Sequence, residues 1–305
     1  MAMTVSEASA QAVATREAHP SFVGLMRGEW LKLSRQWTFW IMLALMVGGY
    51  ILVTLIFAAG GNLAERLQRN PQESIYSFME LYLFLLRVFW GMMVIILTAR
   101  LIGMEYSGGT IRVVLARGVG RLQLLFAKLS VLTLVALVGG ALLTAFATLC
   151  GLIGIQLAAG NLDIFNAATA TFWSDARLYA ASVIISLLVS ILMAAAVTTV
   201  TRSLAAGLSV SIIWFPIDNL AMLPLMLLAA VTHWSFWSLL SGDLLGLNLD
   251  VMATHLLSNP QLSLIDTFSP LTPVTGGHTL LVTAIYAAVF IVVMTVMTAL
   301  PDVKE

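Results

Sequence analysis

Six stretches of the chain are apolar on every face of a helix and long enough to cross a bilayer, which takes about 20 residues. They fall at about 37–59, 78–101, 129–153, 178–200, 204–226 and 280–300. Apolar side chains surround each stretch instead of forming one stripe, as expected of helices embedded in lipid. The first carries no charge, whereas the second contains Glu80, Arg87 and Arg100. The pattern predicts an all-α, polytopic membrane protein. Residues 1–20 read as a flexible N-terminus, 21–36 as an amphipathic interface helix, 37–300 as a single transmembrane domain and 301–305 as a short tail.

Between the fifth and sixth spans lies a long segment, 227–279, that is not a simple loop. From Ser203 to Gly242 only Asp218 interrupts an uncharged run longer than one span needs. Pro216 and Pro224 offer places to break the helix. The expected outcome is a fifth span followed by a short re-entrant or interfacial hairpin. Trp234, Phe236, Trp237, Leu240 and Leu244 suit a helix lying in the headgroup layer. Pro260, Pro270, Pro273, Gly276 and Gly277 mark turns that lead into the last span. No internal repeat occurs at a fixed period.

Composition sharpens the class. Hydrophobic residues make up 60% and charged residues 10% of the chain, against about 25% charged in an ordinary soluble domain. Formal net charge is zero, which gives no electrostatic argument for nucleic acid. Cys150 is the single cysteine and can form no intrachain disulfide. Arg16, Glu17, His19, Arg27, Glu29, Lys32 and Arg35 interrupt the start of the chain, so it does not read as a cleavable signal.

Lysine and arginine then set the orientation, because cytoplasmic loops carry them in excess. With a cytoplasmic N-terminus the inner segments hold Arg16, Arg27, Lys32, Arg35, Arg100, Arg112, Arg117, Arg121, Lys128, Arg202 and Lys304. Only Arg66, Arg69 and Arg177 fall outside, and 232–279 holds neither Lys nor Arg. Both termini are expected inside a cell (inner or plasma) membrane.

Two inner segments carry candidate chemistry. Phe22, Met26, Trp30, Leu33 and Trp37 share one face of the helix ahead of the first span, with Arg27, Lys32 and Arg35 off it. That helix is either a surface anchor or a docking surface with Glu29 and Lys32 as polar contacts. The loop 103–128 gathers cations around a glycine hinge. Ser107 is an N-cap candidate, Gly108 and Gly109 allow a bend, and Thr110 to Arg117 can form two helical turns before Gly118. Glu105 at the entrance and Arg117 at the exit suit the helix dipole. A rigid transverse helix can transmit force, although the cations alone also satisfy the positive-inside rule.

The order of residues in that loop resembles the permease subunits of ABC-2 type transporters. The run Glu105-Tyr106-Ser107-Gly108-Gly109-Thr110-Ile111-Arg112 carries the likeness, followed by Arg117-Gly118, Arg121 and Lys128 opening the third span. Glu29 and Lys32 ahead of the first span, the six spans and the cation-free segment before the last are similar too. The resemblance implies a dimer, either with a second copy or with a homologous permease. Each subunit would grip a separate ATP-binding cassette ATPase through a coupling helix, with Glu105, Tyr106, Gly109, Thr110 and Arg112 at the contact. ATP and Mg would be bound by that partner, with no cofactor in this chain. Export of a lipid-like, amphipathic or hydrophobic peptide cargo follows as an expectation.

Buried charge is the remaining signal. Arg87 and Asp218 fall at matched depths, and a charge so deep costs about 2.5–3.5 kcal/mol unless paired or watered. They predict an intramembrane polar pair, or else a polar substrate contact or proton site. The latter is what an ion-gradient-driven secondary transporter or channel would use. Glu80, nearer the outer end, is expected to reach the interface. His233, His255, His278, Asp243, Asp250 and Asp266 lack metal-ligand spacing. No phosphate-binding Gly-x-x-x-x-Gly-Lys-Ser/Thr, His-Glu-x-x-His or Gly-x-Ser-x-Gly motif occurs, so no catalytic site is expected in this chain.

Overall fold

The computed structural model describes residues 21–60, 63–116, 118–256 and 269–300, without the side chains of residues 63, 64, 66, 110–112 and 256. The expectations placed on 1–20, Arg117, Pro260, Asp266 and 301–305 therefore lie outside the described residues.

Among the described residues every regular element is helical. Helix α1 (Phe22–Ser34) leads into α2 (Trp37–Ala59), the first span, followed by short α3 (Leu63–Arg69). The second span is α4 (Pro71–Leu85), a π-helical turn (Leu86–Trp90) and α5 (Gly91–Ser107) in one rod. Short α6 (Thr110–Ala116) links it to α7 (Arg121–Ala159). A 3-10 turn (Asp163–Ala167) then leads to α8 (Ala170–Thr201). The chain ends through α9 (Leu204–Asn219), α10 (Met222–Thr232), α11 (Phe236–Asp243), α12 (Leu245–Leu256) and α13 (Gly276–Ala299).

Five rods are long and apolar enough to cross a membrane, and α9 with α10 makes a sixth if the pair counts as one span. The first span keeps its expected bounds. The second, third and fourth run longer at both ends, because a helix need not stop where the hydrocarbon stops. Arg121 and Lys128, for example, lie within α7 rather than in a loop before it. The fifth is broken: α9 and α10 meet at 59°. Pro216 lies inside α9, one turn before the break, whereas Pro224 falls in the first turn of α10, where a missing N–H costs nothing.

The core sits where α5, α7 and α8 meet, around Trp90, Leu97, Leu132, Leu187 and Ile191. Trp90 fits because α7 offers Gly139 and Gly140 opposite it, and its indole N–H donates to Ala136 O at 3.0 Å. A Cβ on Gly139 would overlap the Trp90 ring. The Gly48 and Gly49 pair in the first span has nothing within 4 Å of an added Cβ, so only the second glycine pair serves close packing.

The segment after the fifth span departs from the expected surface arrangement. Trp234, Phe236 and Trp237 do cluster at the start of α11, with Trp234 and Phe236 stacked at 4.9 Å. But α12 is buried in the bundle against α8, α9 and α13, with Leu247, Asn248 and Met252 fully covered. The run 244–253 is too short to span but apolar enough to be swallowed, which is what such lengths favour.

Overpacking costs about 1–3 kcal/mol in a filled core, so Gly139→Leu should lower the thermal midpoint of the purified protein in detergent. Gly48→Ala should leave it unchanged. Equal shifts from both would show that the Trp90 contact is not formed.

Candidate functional site

One end of the bundle, called here the near end, holds α1, α6 and the termini of α5, α7 and α9. Four charges from three helices meet there. Lys128 of α7 bonds Glu29 Oε2 of α1 at 2.6 Å and Glu105 Oε1 of α5 at 2.8 Å. The ammonium donates hydrogen bonds to Glu29 Oε2 and, at 3.1 Å, to Leu101 O, while Glu105 is its second ion-pair partner. Lys32 completes the ring, at 2.6 Å from Glu29 Oε1 and 2.8 Å from Glu105 Oε1. The quartet sums to zero charge. Glu29, Glu105 and Lys128 are buried, while Lys32 stays half-exposed.

Burial pulls the Lys32 pKa down, but its hydrogen bonds and charge interactions with Glu105 and Glu29 outweigh that, leaving it above 10.5. A raised lysine pKa contributes stability that is complete below pH 10.5 and fades only as pH rises through the folded value. Lys32 therefore stays charged across the physiological range.

This arrangement revises three expectations. The face of α1 turned inward carries Met26, Glu29 and Leu33, whereas Phe22, Trp30 and Trp37 are exposed. Glu105 does not lie at the entrance of α6; it closes α5 and spends its carboxylate inside the chain. Ser107 does not cap α6 either. Its hydroxyl accepts from Leu204 N at 3.1 Å, satisfying an orphan donor at the start of α9. Gly103, one turn before, lies so close that an added Cβ would come within 2.7 Å of Leu204 Cα.

The loop itself forms as its residues suggest. Gly109 and Gly118 take φ of +64° and +81°, left-handed values that favour glycine. They bracket α6, which runs from Thr110 to Ala116. Gly108, Gly109 and Val113 are exposed, and Tyr106 packs against the core. The side chains of Thr110 and Arg112 lie outside the described residues. Because Glu105 precedes the loop and Lys128 follows it, the quartet staples the loop at its base.

A second polar cluster sits midway along the bundle. Arg87, in the π-helical turn, bonds Asp250 of α12, Asn219 Oδ1 of α9 at 2.6 Å and Leu249 O at 3.0 Å. The expected partner, Asp218, instead accepts from Gly246 N at 2.6 Å. The matched depths brought Asp218 close, but its neighbour Asn219 is what faces Arg87. An added Cβ on Gly246 would meet the Asp218 backbone at 2.5 Å, so only glycine lets α12 begin there. Glu80 is buried rather than interfacial, and with Arg87 and Asp250 it lies within electrostatic reach of the Tyr179 hydroxyl. π-turns often mark functional sites. Sequence reasoning weighed Asp250 only as a metal ligand and did not single out Asn219. The clue was an isolated aspartate in a short apolar run without any cation nearby.

A family model described as "ABC-2 family transporter protein" matches residues 25–216. That range takes in α1, the quartet, the loop, the Arg87 turn and the first part of the fifth span. No curated protein matches the chain significantly.

Three double-mutant cycles test these contacts. Lys128→Met leaves two buried carboxylates with one half-exposed lysine and should cost about 3–5 kcal/mol of unfolding stability. Adding Glu29→Gln should recover part of the loss; additivity within about 0.5 kcal/mol would rule the pairing out. In the same assay Arg87→Ala should couple to Asp250→Ala and not to Asp218→Ala. The reverse result would restore the partner that the sequence suggested.

Proposed function

The chain belongs to the ABC-2 family of transporter proteins, and from that premise we propose that it is the permease subunit of an ATP-driven exporter. It is a multi-pass membrane protein, a transport subunit whose family implies an ATP-binding cassette partner. In the proposed assembly the near end faces the cytoplasm, as the excess of Lys and Arg there suggests. Two permeases, identical or homologous, would each dock one ATPase, which holds ATP and Mg and does the hydrolysis.

The observation that carries this reading is the stapled loop. A docking element must be exposed where it is gripped and rigid where it is rooted. Helix α6 meets the first requirement through Gly109 and Val113, and the buried quartet meets the second. Tyr106, Gly109, Thr110 and Arg112 make the contact in this proposal. Glu105 supports it from behind, and Glu29 and Lys32 bind α1 to the same base. Movement of the ATPase would then displace α1, α5 and α7 together. The apolar walls of the bundle suit a lipid-like, amphipathic or hydrophobic peptide cargo.

Gly109→Pro cannot adopt φ of +64°, and Arg112→Glu reverses a charge at the proposed contact. Each should weaken retention of the ATPase on purification about tenfold, ~1.4 kcal/mol, and lower transport, Arg112→Glu with the thermal midpoint of the permease unchanged. Full assembly and transport in both variants would refute the contact. Transport that follows an ion gradient without nucleotide would favour a secondary transporter instead.

A further inference from the structure

Away from both polar sites, the far half of the bundle contains an apolar crevice of about 250 Å³ between α4, α7 and the start of α8, closed at one end by the 3-10 turn. Phe78, Leu83, Thr148, Phe165, Trp173 and Ala176 are among its walls. At ~30 Å³ for each water-sized group, it has room for roughly eight methylene-sized groups.

Apart from the Trp173 indole N–H, the crevice offers little for a polar guest to bond. Three hydroxyls belong to its lining, and each is already engaged. Thr144 donates to Gly140 O at 2.8 Å and Thr148 to Thr144 O at 2.9 Å, while Tyr82 shares a hydrogen bond with Thr54 at 2.8 Å. A peptide entering it would leave its N–H and C=O groups unsatisfied, a cost of several kcal/mol for each group in a membrane. A hydrocarbon tail has no such groups.

The rim supplies the other half of the argument. Arg177 is exposed, one turn beyond Trp173 and one turn before Ala180, both of which line the crevice. Residues three and four apart share a helix face, so Arg177 lies on the face of α8 that carries Trp173 and Ala180. Arg177 makes no ion pair among the described residues, whereas Arg69, also at the far end, is paired with Glu65 at 2.5 Å. A twofold contact centred on this face would set Arg177 against its own copy. An anionic headgroup would neutralise it.

We propose that this crevice, with Arg177 at its rim, binds a phospholipid of the far leaflet, its acyl tail between α4, α7 and α8 and its phosphate on the guanidinium. The site depends on the chain being embedded in a membrane and not on docking of an ATPase. The far leaflet is the outer one if the near end is cytoplasmic. Arg177 sets the preference for an anionic headgroup, and the apolar lining of the crevice sets the preference for an acyl chain over a peptide.

Photolabelling tests the site. The full chain is reconstituted into nanodiscs with phosphatidylglycerol or phosphatidylcholine carrying a diazirine in the acyl tail, and labelled peptides are mapped by mass spectrometry. Label should concentrate on the segments bearing Phe165, Trp173 and Thr148. Phosphatidylglycerol should be favoured about fivefold, corresponding to the ~1 kcal/mol that one cation near a membrane surface is worth. Ala176→Phe, or Thr148→Phe from the opposite wall, should reduce label here to background while label at Leu45 and Leu52 of the first span persists. Arg177→Gln should remove the headgroup preference and keep the label. Arg112→Glu should change nothing, so failure of the docking proposal leaves this one standing. Label spread evenly over the lipid-facing helices, insensitivity to both filling variants, or cross-links from a second copy in place of lipid would each overturn it.

Discussion

The near end depends on one ammonium group. Lys128 is buried, hydrogen-bonded to Glu29 and the Leu101 carbonyl and ion-paired with Glu105. Burying three of these four charges is costly, and their attraction offsets that cost only when all are in place. Hydrophobic residues of similar volume could hold the same helices as well or better. The contribution of the ring is therefore geometric. It admits one relative placement of α1, α5 and α7, and so fixes the base of the loop that α5 and α7 flank.

The second polar cluster extends the same logic to the middle of the bundle. A guanidinium there needs several acceptors, and no single helix can provide them. Arg87 obtains them from α9 and α12 together: the Asn219 amide, the Leu249 carbonyl and the Asp250 carboxylate. This explains how a short helix without capacity to span comes to be buried. Its aspartate answers the arginine, and Gly246 lets its first turn touch the α9 backbone.

Much of this was legible from the sequence, and the limit is physical. All-round apolarity locates long helices well, because lipid imposes it on each helix separately, and the first span came out with its bounds intact. Gly109 and Gly118 bracket α6 as expected, since a positive φ is a local demand. What resisted reading were choices between partners. Glu105, Ser107 and Arg87 each have several chemically suitable neighbours, and spacing along the chain cannot rank contacts between residues 73 to 163 positions apart. Asp218 and Asn219 are adjacent, yet a one-residue step on a helix turns a side chain by about a quarter of the circumference. Here that decides which of them meets Arg87.

Both clusters draw on the second span, which also touches the fifth span close to each of them. Near the loop, Ser107 holds the first N–H of α9 and Gly103 lies against Leu204. Deeper in the bundle, Asn219 at the last turn of α9 holds Arg87. Helix α9 is thus tied at its two ends to one rod. Under the proposed coupling, a pull on the loop cannot slide α9 past α5 without breaking one of these contacts. The two would travel as a unit, and the change would fall where the fifth span is already interrupted, at the 59° bend between α9 and α10. Hinges form where few contacts resist a change in backbone angles. At this break Leu220 is exposed, while Ala221 packs with Leu225 and Leu247. The polar contacts of the second span would then set where the bundle moves, by fixing where it does not.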